Sequence, residues 1–159
     1  MRRTLEVVGW LALGWMTWST YAAVWGAEPL PEQIPIHFDL AGNPNGWGSP
    51  KGLLILVVMG VAVYLMMGIV ARYPGAFNYP VKVLPEFRAQ AEALTLDMIA
   101  WLRSELACLF CALQLAVIHA ARAGRSPALT WLMPVFLVVI FGTIGSYMWA
   151  VVRLSRGRS

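Results

Sequence analysis

Apolar residues fill four long stretches of this sequence, from Leu5 to Trp25, Gly52 to Ala71, Leu106 to Ala121 and Ala128 to Val152. About 20 such residues cross a bilayer as a helix. The third stretch extends backwards, because Phe87, Ala91, Leu94, Met98, Trp101 and Leu102 recur at intervals dominated by three and four, the helical period. A helix is therefore predicted from about Glu86. It runs as an amphipathic surface segment or as an extension of the third span. Spans are expected at about 5–25, 52–71, 98–121 and 128–152, with a loop at 27–51 on one side and a loop at 72–97 on the other. Tyr73-Pro74-Gly75 breaks the helix after span two, and Pro80 and Pro85 keep the following stretch extended. Pro134 should kink the fourth span or mark its first turns. No internal repeat or low-complexity tract is visible. The expected fold is all-α: one integral domain over residues 1–159, a four-span transmembrane bundle with an ordered proline- and glycine-rich outer loop.

The first stretch begins like a secretion signal, with Met1-Arg2-Arg3. It is too long and too rich in tryptophan for a signal core, and no clean small-x-small site follows Trp25-Gly26-Ala27. It is expected to stay as a span. Gly9, Gly14, Gly60, Gly68, Gly142 and Gly145 are expected to let helices approach one another closely.

Composition agrees with the pattern. Of the 159 residues 59% are hydrophobic and 13% charged, and the mean hydropathy is +0.65. Soluble domains carry about half apolar and a quarter charged residues. An ordinary soluble domain, a disordered chain and a nucleic-acid-binding domain are excluded. The net charge of +4 is scattered between apolar runs and forms no basic stripe.

The charges orient the bundle. With both termini in the cytoplasm, the inner side carries Arg2, Arg3, Arg72, Lys82, Arg88, Arg103, Arg153, Arg156 and Arg158, and the outer side Lys51, Arg122 and Arg125. Nine against three satisfies the positive-inside rule. Trp25, Trp47 and Trp131 then fall at the outer interface and Tyr73 and Trp149 at the inner one, as belt residues do. A bacterial inner membrane is the expected location, and membrane lipid an expected partner.

The loop at 27–51 is written unlike a plain connection. Ile34, Ile36 and Phe38 alternate with Pro35, His37 and Asp39, the period of a strand. Gly42, Gly46 and Gly48 surround Asn43-Pro44-Asn45 and mark tight turns. Ile36 and Phe38 are expected to seat the loop on the bundle, leaving His37 as the polar contact. Lys51 is expected to snorkel at the outer end of span two.

This stretch, Leu30-Pro31-Glu32-Gln33-Ile34-Pro35-Ile36-His37-Phe38-Asp39 followed by Gly42 and by Gly46-Trp47-Gly48-Ser49-Pro50-Lys51, resembles the domain of unknown function at the N-terminus of SdpI-type bacterial immunity proteins. The resemblance covers about Leu5 to Ala71. Many members have Lys directly after Ser, where this chain inserts Pro50. The segment from Tyr73-Pro74 to Phe77-Asn78-Tyr79-Pro80-Val81-Lys82 is similar to stand-alone four-span members. The resemblance implies a first span, a proline-rich outer loop and a second span. SdpI-type proteins are longer, protect a producing cell from a secreted toxin and sequester a repressor at the membrane. Stand-alone members mostly have no assigned activity.

Candidate chemistry is sparse. On a strand, His37 and Asp39 would point the same way, about 6.8 Å apart, and with Glu28 or Glu32 they could touch a divalent metal. Their spacing matches no metal motif, so no metal and no cofactor is assigned. Cys108-Leu109-Phe110-Cys111 has redox spacing but lies in an apolar helix, where thiols pack as small hydrophobes. Asp97, Trp101, Glu105, Cys108, Leu115, His119 and Arg122 share one face of span three at helical spacing. Ionisable groups at membrane depth are costly and usually functional, which makes Glu105 and His119 a possible intramembrane polar site. Glu105 would need a partner on another span. No nucleophile–base pair or paired carboxylates stand at usable spacing, so no catalytic residue is assigned.

The expected function is non-enzymatic: an SdpI-like membrane protein binding a peptide or protein partner at its outer face, for immunity or signalling. Pro35, His37, Phe38, Asp39, Gly42, Gly46, Gly48 and Lys51 would carry that binding. Alternatives are an accessory subunit of a larger membrane complex, or a metal-dependent membrane enzyme. A homo-oligomer is compatible with all three, and no nucleic-acid partner is expected.

Overall fold

A computed structural model describes residues 1–39 and 41–156, so Arg158 of the inner basic set lies outside the described residues. Four long helices make up most of the structure: α1 (Arg2–Trp25), α2 (Leu53–Val70), α3 (Arg88–Ala123) and α4 (Ala128–Ser155). Among the described residues, α2, α3 and α4 are long and apolar enough to cross a membrane, and the chain is a membrane protein. α1 falls short of that criterion because Trp10, Trp15, Trp18, Tyr21 and Trp25 alternate with Thr17, Ser19 and Thr20. Its hydroxyls are nonetheless satisfied within the helix: Thr17 donates to the Leu13 carbonyl at 2.8 Å, and Ser19 and Thr20 to the Met16 carbonyl at 3.0 and 2.8 Å.

α3 is the central element. α1 runs parallel to it, with contacts stepping from Arg2–Asp97 through Leu5–Ser104 to Met16–Gln114. α2 runs antiparallel to both and α4 packs against α3. At 36 residues and 1.5 Å per residue, α3 spans about 54 Å, well beyond the roughly 30 Å hydrocarbon core. Its early turns lie at the end of the bundle that also holds Arg2 and the last turns of α4. A 3₁₀ turn at Pro85–Phe87 leads into it, matching the helix expected from Glu86. Gly124 ends α3 in the left-handed conformation, with φ of 80° and its N–H on the Ala120 carbonyl, a glycine C-cap.

Two apolar clusters hold the bundle together. Leu13, Met16, Tyr64, Ala107 and Cys111 pack at its middle; Ala23, Leu30, Ile34, Leu53 and Ile118 pack towards the other end. Gly9 and Gly60 are true close-approach glycines, against Tyr64 and against Met16 and Phe110, and Gly68 lies under the Arg103 guanidinium. Gly14, Gly142 and Gly145 face open space, which corrects their expected packing role. α4 buries Val151 alone, so its glycines have nothing to meet. Pro134 is accommodated within α4, which runs on through it.

The all-α expectation needs one correction. The loop between α1 and α2 contains an antiparallel hairpin, β1 (Ile34–Phe38) with β2 (Pro44–Gly48). A 3₁₀ turn at Pro50–Gly52, capped by the Ser49 hydroxyl accepting from the Lys51 N–H at 3.3 Å, passes the chain into α2.

Candidate functional site

The hairpin is seated by Ile34, which is fully buried, and by Pro35 beside it. Ile36, expected to anchor it, is 54% exposed. The register slips between Pro35 and His37 and again between His37 and Phe38. These irregularities break the simple alternation, because a bulge redirects the side chains that follow it. β2 is short of strand-forming residues, yet it pairs because Gly46 and Gly48 leave room for β1. A Cβ at Gly46 would lie 2.8 Å from the His37 Cβ, and one at Gly48 would lie 2.7 Å from the Ile36 Cδ1.

The turn is closed by Asp39. Its Oδ1 accepts from the Ala41 N–H at 2.9 Å and the Asn43 N–H at 2.8 Å, and its Oδ2 from the Asn43 amide at 3.2 Å. Its own N–H donates to the Asn43 carbonyl at 2.9 Å. Backbone and side-chain hydrogen bonds from Asn43 hold the Asp39 carboxyl below its ordinary value, aided by the Ala41 and Gly42 N–H groups. Gly42 takes a φ of 80°, and a Cβ there would sit 2.8 Å from the Thr130 Oγ1 and 3.2 Å from the Ser126 carbonyl. The turn thus rests on the first turn of α4.

His37 is exposed and hydrogen-bonds Asn45 across the hairpin through Nδ1. His37 and Asp39 are therefore both engaged inside the loop. Among the described residues no three His, Cys, Asp or Glu side chains come together as a metal-binding group. Lys51 is exposed one turn before α2.

Between the hairpin and α4 lies a groove of about 520 Å³, with Ile36, His37 and Phe38 on one wall and Thr130, Met133 and Pro134 on the other. Pro134 has no N–H to give the Thr130 carbonyl four residues earlier.

Glu105 and His119 do not form one site. Fourteen residues of helix separate them by about 21 Å. Glu105 finds its partner on α4, where the Thr143 hydroxyl donates to Oε1 at 2.6 Å, while Oε2 is buried without a partner among the described residues. His119 is exposed near the end of α3. Cys108 and Cys111 are free thiols.

Two clusters escaped sequence reasoning. The fully buried Gln114 donates from Nε2 to the Met16 carbonyl at 2.7 Å and to the Thr20 hydroxyl. Near the termini, Arg103 donates from Nε to the Tyr64 carbonyl at 3.2 Å and lies over the Tyr64 ring, 4.1 Å from its centre. Tyr64 donates to the Glu6 carbonyl at 3.1 Å. A polar glutamine and a tyrosine inside apolar runs were the available signals.

Comparison with known proteins agrees in part with the loop resemblance. Residues 12–61 match the family model described as a domain of unknown function, DUF1648. That segment contains most of α1, the hairpin and the first half of α2. The chain is also 27% identical over 123 residues to an uncharacterized protein of Archaeoglobus fulgidus, covering 69% of this chain and 67% of the relative. No solved structure matches the chain.

Proposed function

We propose that this chain is a non-enzymatic, four-span protein of the cytoplasmic membrane that binds an extended peptide or protein segment at its hairpin end, outside the cell. The groove between β1 and α4 carries this reading. Its size is that of a ligand cleft, its walls are mostly apolar, and His37 and Thr130 among its lining residues are polar. β1 is bonded to one neighbouring strand only, and peptides commonly add to a free strand edge. Ordered loops on rigid scaffolds are where binding residues concentrate.

A four-span arrangement is supported by α1 itself. Its 24 residues reach about 36 Å, enough for a bilayer core, and it follows α3 through the bundle. Exposed Trp25, Trp47 and Trp131 at one end and Tyr73 and Trp149 at the other suit two aromatic belts. The nine-to-three charge bias supports cytoplasmic termini. The resemblance to SdpI-type proteins favours immunity or signalling as the purpose of binding.

The test is photocrosslinking in cells with a photoreactive residue at Met133 or Ile36. A discrete protein or peptide adduct at these positions, lost when the probe is moved to the lipid-facing Val138, supports the groove. Lipid adducts alone at all three positions would overturn it.

A further inference from the structure

At the end of the bundle that holds the termini, α1, α2 and α3 leave a cavity of about 630 Å³ lined by Glu6, Trp10, Leu65, Gly68, Arg72 and Arg103. A smaller cavity of about 220 Å³ lies against the same Glu6 and Arg103 and reaches Arg2. Arg2 is committed elsewhere, to Asp97 at 2.5 Å and to the Ala93 carbonyl at 2.8 Å. The larger cavity therefore holds two guanidinium groups against one carboxylate.

Neither guanidinium is used up. Arg103 spends Nε on the Tyr64 carbonyl, but its Nη1 is 3.7 Å from the Glu6 carboxylate, longer than the roughly 2.8 Å of a charge-assisted hydrogen bond. Glu6 is half exposed there, whereas the Arg103 side chain is 14% exposed. Its Nη2 rests above Gly68, 3.0 Å from where a Cβ would stand. The missing side chain is what admits the guanidinium to the cavity wall. Arg72 is exposed and, among the described residues, forms no ion pair. It follows the end of α2 by two residues. Trp10 and Leu65 on the same wall are 52% and 47% exposed, so the cavity opens sideways onto an apolar helix surface.

We propose that this cavity holds the phosphate-bearing headgroup of an anionic lipid from the leaflet on the termini side, with an acyl chain laid along Leu65 and Trp10. Arginine presents a planar fork of donors that matches phosphate oxygens, and basic pockets between membrane helices take anionic headgroups. Free phosphate shares the recognition chemistry. The apolar side opening favours the lipid, because a soluble anion gains nothing from it. The inference is independent of what occupies the hairpin groove.

The experiment uses the full chain, delipidated in a non-ionic detergent, with native mass spectrometry and thermal melting as readouts. It is titrated with phosphatidylglycerol, phosphatidylcholine and sodium phosphate. Phosphatidylglycerol is expected to bind and raise the melting temperature, and the other two to do neither at equal concentration. Arg72→Gln removes an exposed charge without touching the packing, and should weaken phosphatidylglycerol binding about fivefold. Gly68→Ala should displace the Arg103 guanidinium and weaken it as well. Equal binding of the two lipids, or parental affinity in Arg72→Gln, overturns the site. Displacement of phosphatidylglycerol by millimolar phosphate would make the occupant a soluble anion and overturn the lipid.

Discussion

The ring of Tyr64 stands where a methyl group on Gly9 would have to go. An ideal Cβ at Gly9 would lie 2.5 Å from the Tyr64 Cε2, and the ring is fixed by its hydroxyl on the Glu6 carbonyl and by the edge of Trp10, 5.1 Å between centres. Gly9→Ala should therefore cost about 1–3 kcal/mol of overpacking. Gly14, on the same helix, has nothing within 4 Å, and Gly14→Ala should gain up to about 1 kcal/mol from helix propensity. Thermal melting of the two variants in detergent should move in opposite directions.

The Gln114 amide staples α3 to α1 through one half of its polar capacity, since Oε1 is buried without a partner among the described residues. Gln114→Leu keeps the volume and removes the unsatisfied oxygen together with the donor, while the Met16 carbonyl keeps its bond from Thr20. It should change stability by less than about 1 kcal/mol, in line with polar contacts between membrane helices. Gln114→Ala leaves a cavity and should cost more. The difference between their melting temperatures checks this.

Asp39 makes the hairpin turn sensitive to acid. Its carboxyl is held below the ordinary 3.8 by hydrogen bonds to the charged form, so its contribution is complete above that value and is lost as the pH falls through the lowered one. Protection of the Ala41 and Asn43 amides, taken relative to their intrinsic exchange rates, should fall as the pH drops below about 3.8, and Asp39→Asn should abolish this pH dependence. An unchanged exchange profile in Asp39→Asn would contradict the assignment.

The two isoleucines of β1 should behave differently. Ile34 is fully buried, and Ile34→Ala should cost about 2–5 kcal/mol and lower membrane accumulation. Ile36→Ala, at an exposed position, should stay within about 0.5 kcal/mol. His37→Ala should accumulate like the parent and lose the groove adducts, which immunoblotting of membranes beside the crosslinking assay would reveal.

The charge bias predicts a topology that reporter fusions can check. A reporter after Ser159 should be cytoplasmic and one placed between Gly42 and Gly48 should be external. Finding both on the same side would mean that α2, α3 and α4 do not all cross the membrane.

The helices were legible in the sequence because each carries its own signal: an uninterrupted apolar run for α2 and α4, and a helical period for the early turns of α3. β1 was legible from the alternation at 34–38, but its buried side was not. Ile34 and Pro35 are both buried, and the register slips that follow Pro35 leave Ile36 exposed. β2 carries no strand signal at all; its pairing depends on the empty space at Gly46 and Gly48, which exists only once β1 is beside it. The polar groups of α3 show the same limit. Helical spacing puts Glu105 and His119 on one face, but a shared face 36 residues long is not a shared site. Partners such as Thr143 for Glu105, or Tyr64 for Arg103, are set by packing between helices distant in sequence.

The parallel pairing of α1 with α3 means that the span of sequence similarity is not a unit of folding. The similar segment, residues 12–61, ends inside α2. Yet Met16 and Leu13 pack on Ala107 and Cys111, and the hairpin's Ile34 packs on Ile118. All three of those partners arrive about 90 residues after α1 leaves the ribosome. Until α3 is made, the first two helices and the hairpin have no floor to close upon. A piece cut at the end of α2 would keep the conspicuous sequence and lose the surface that gives it shape. Any protein that borrows this segment must also bring a helix to stand in for α3.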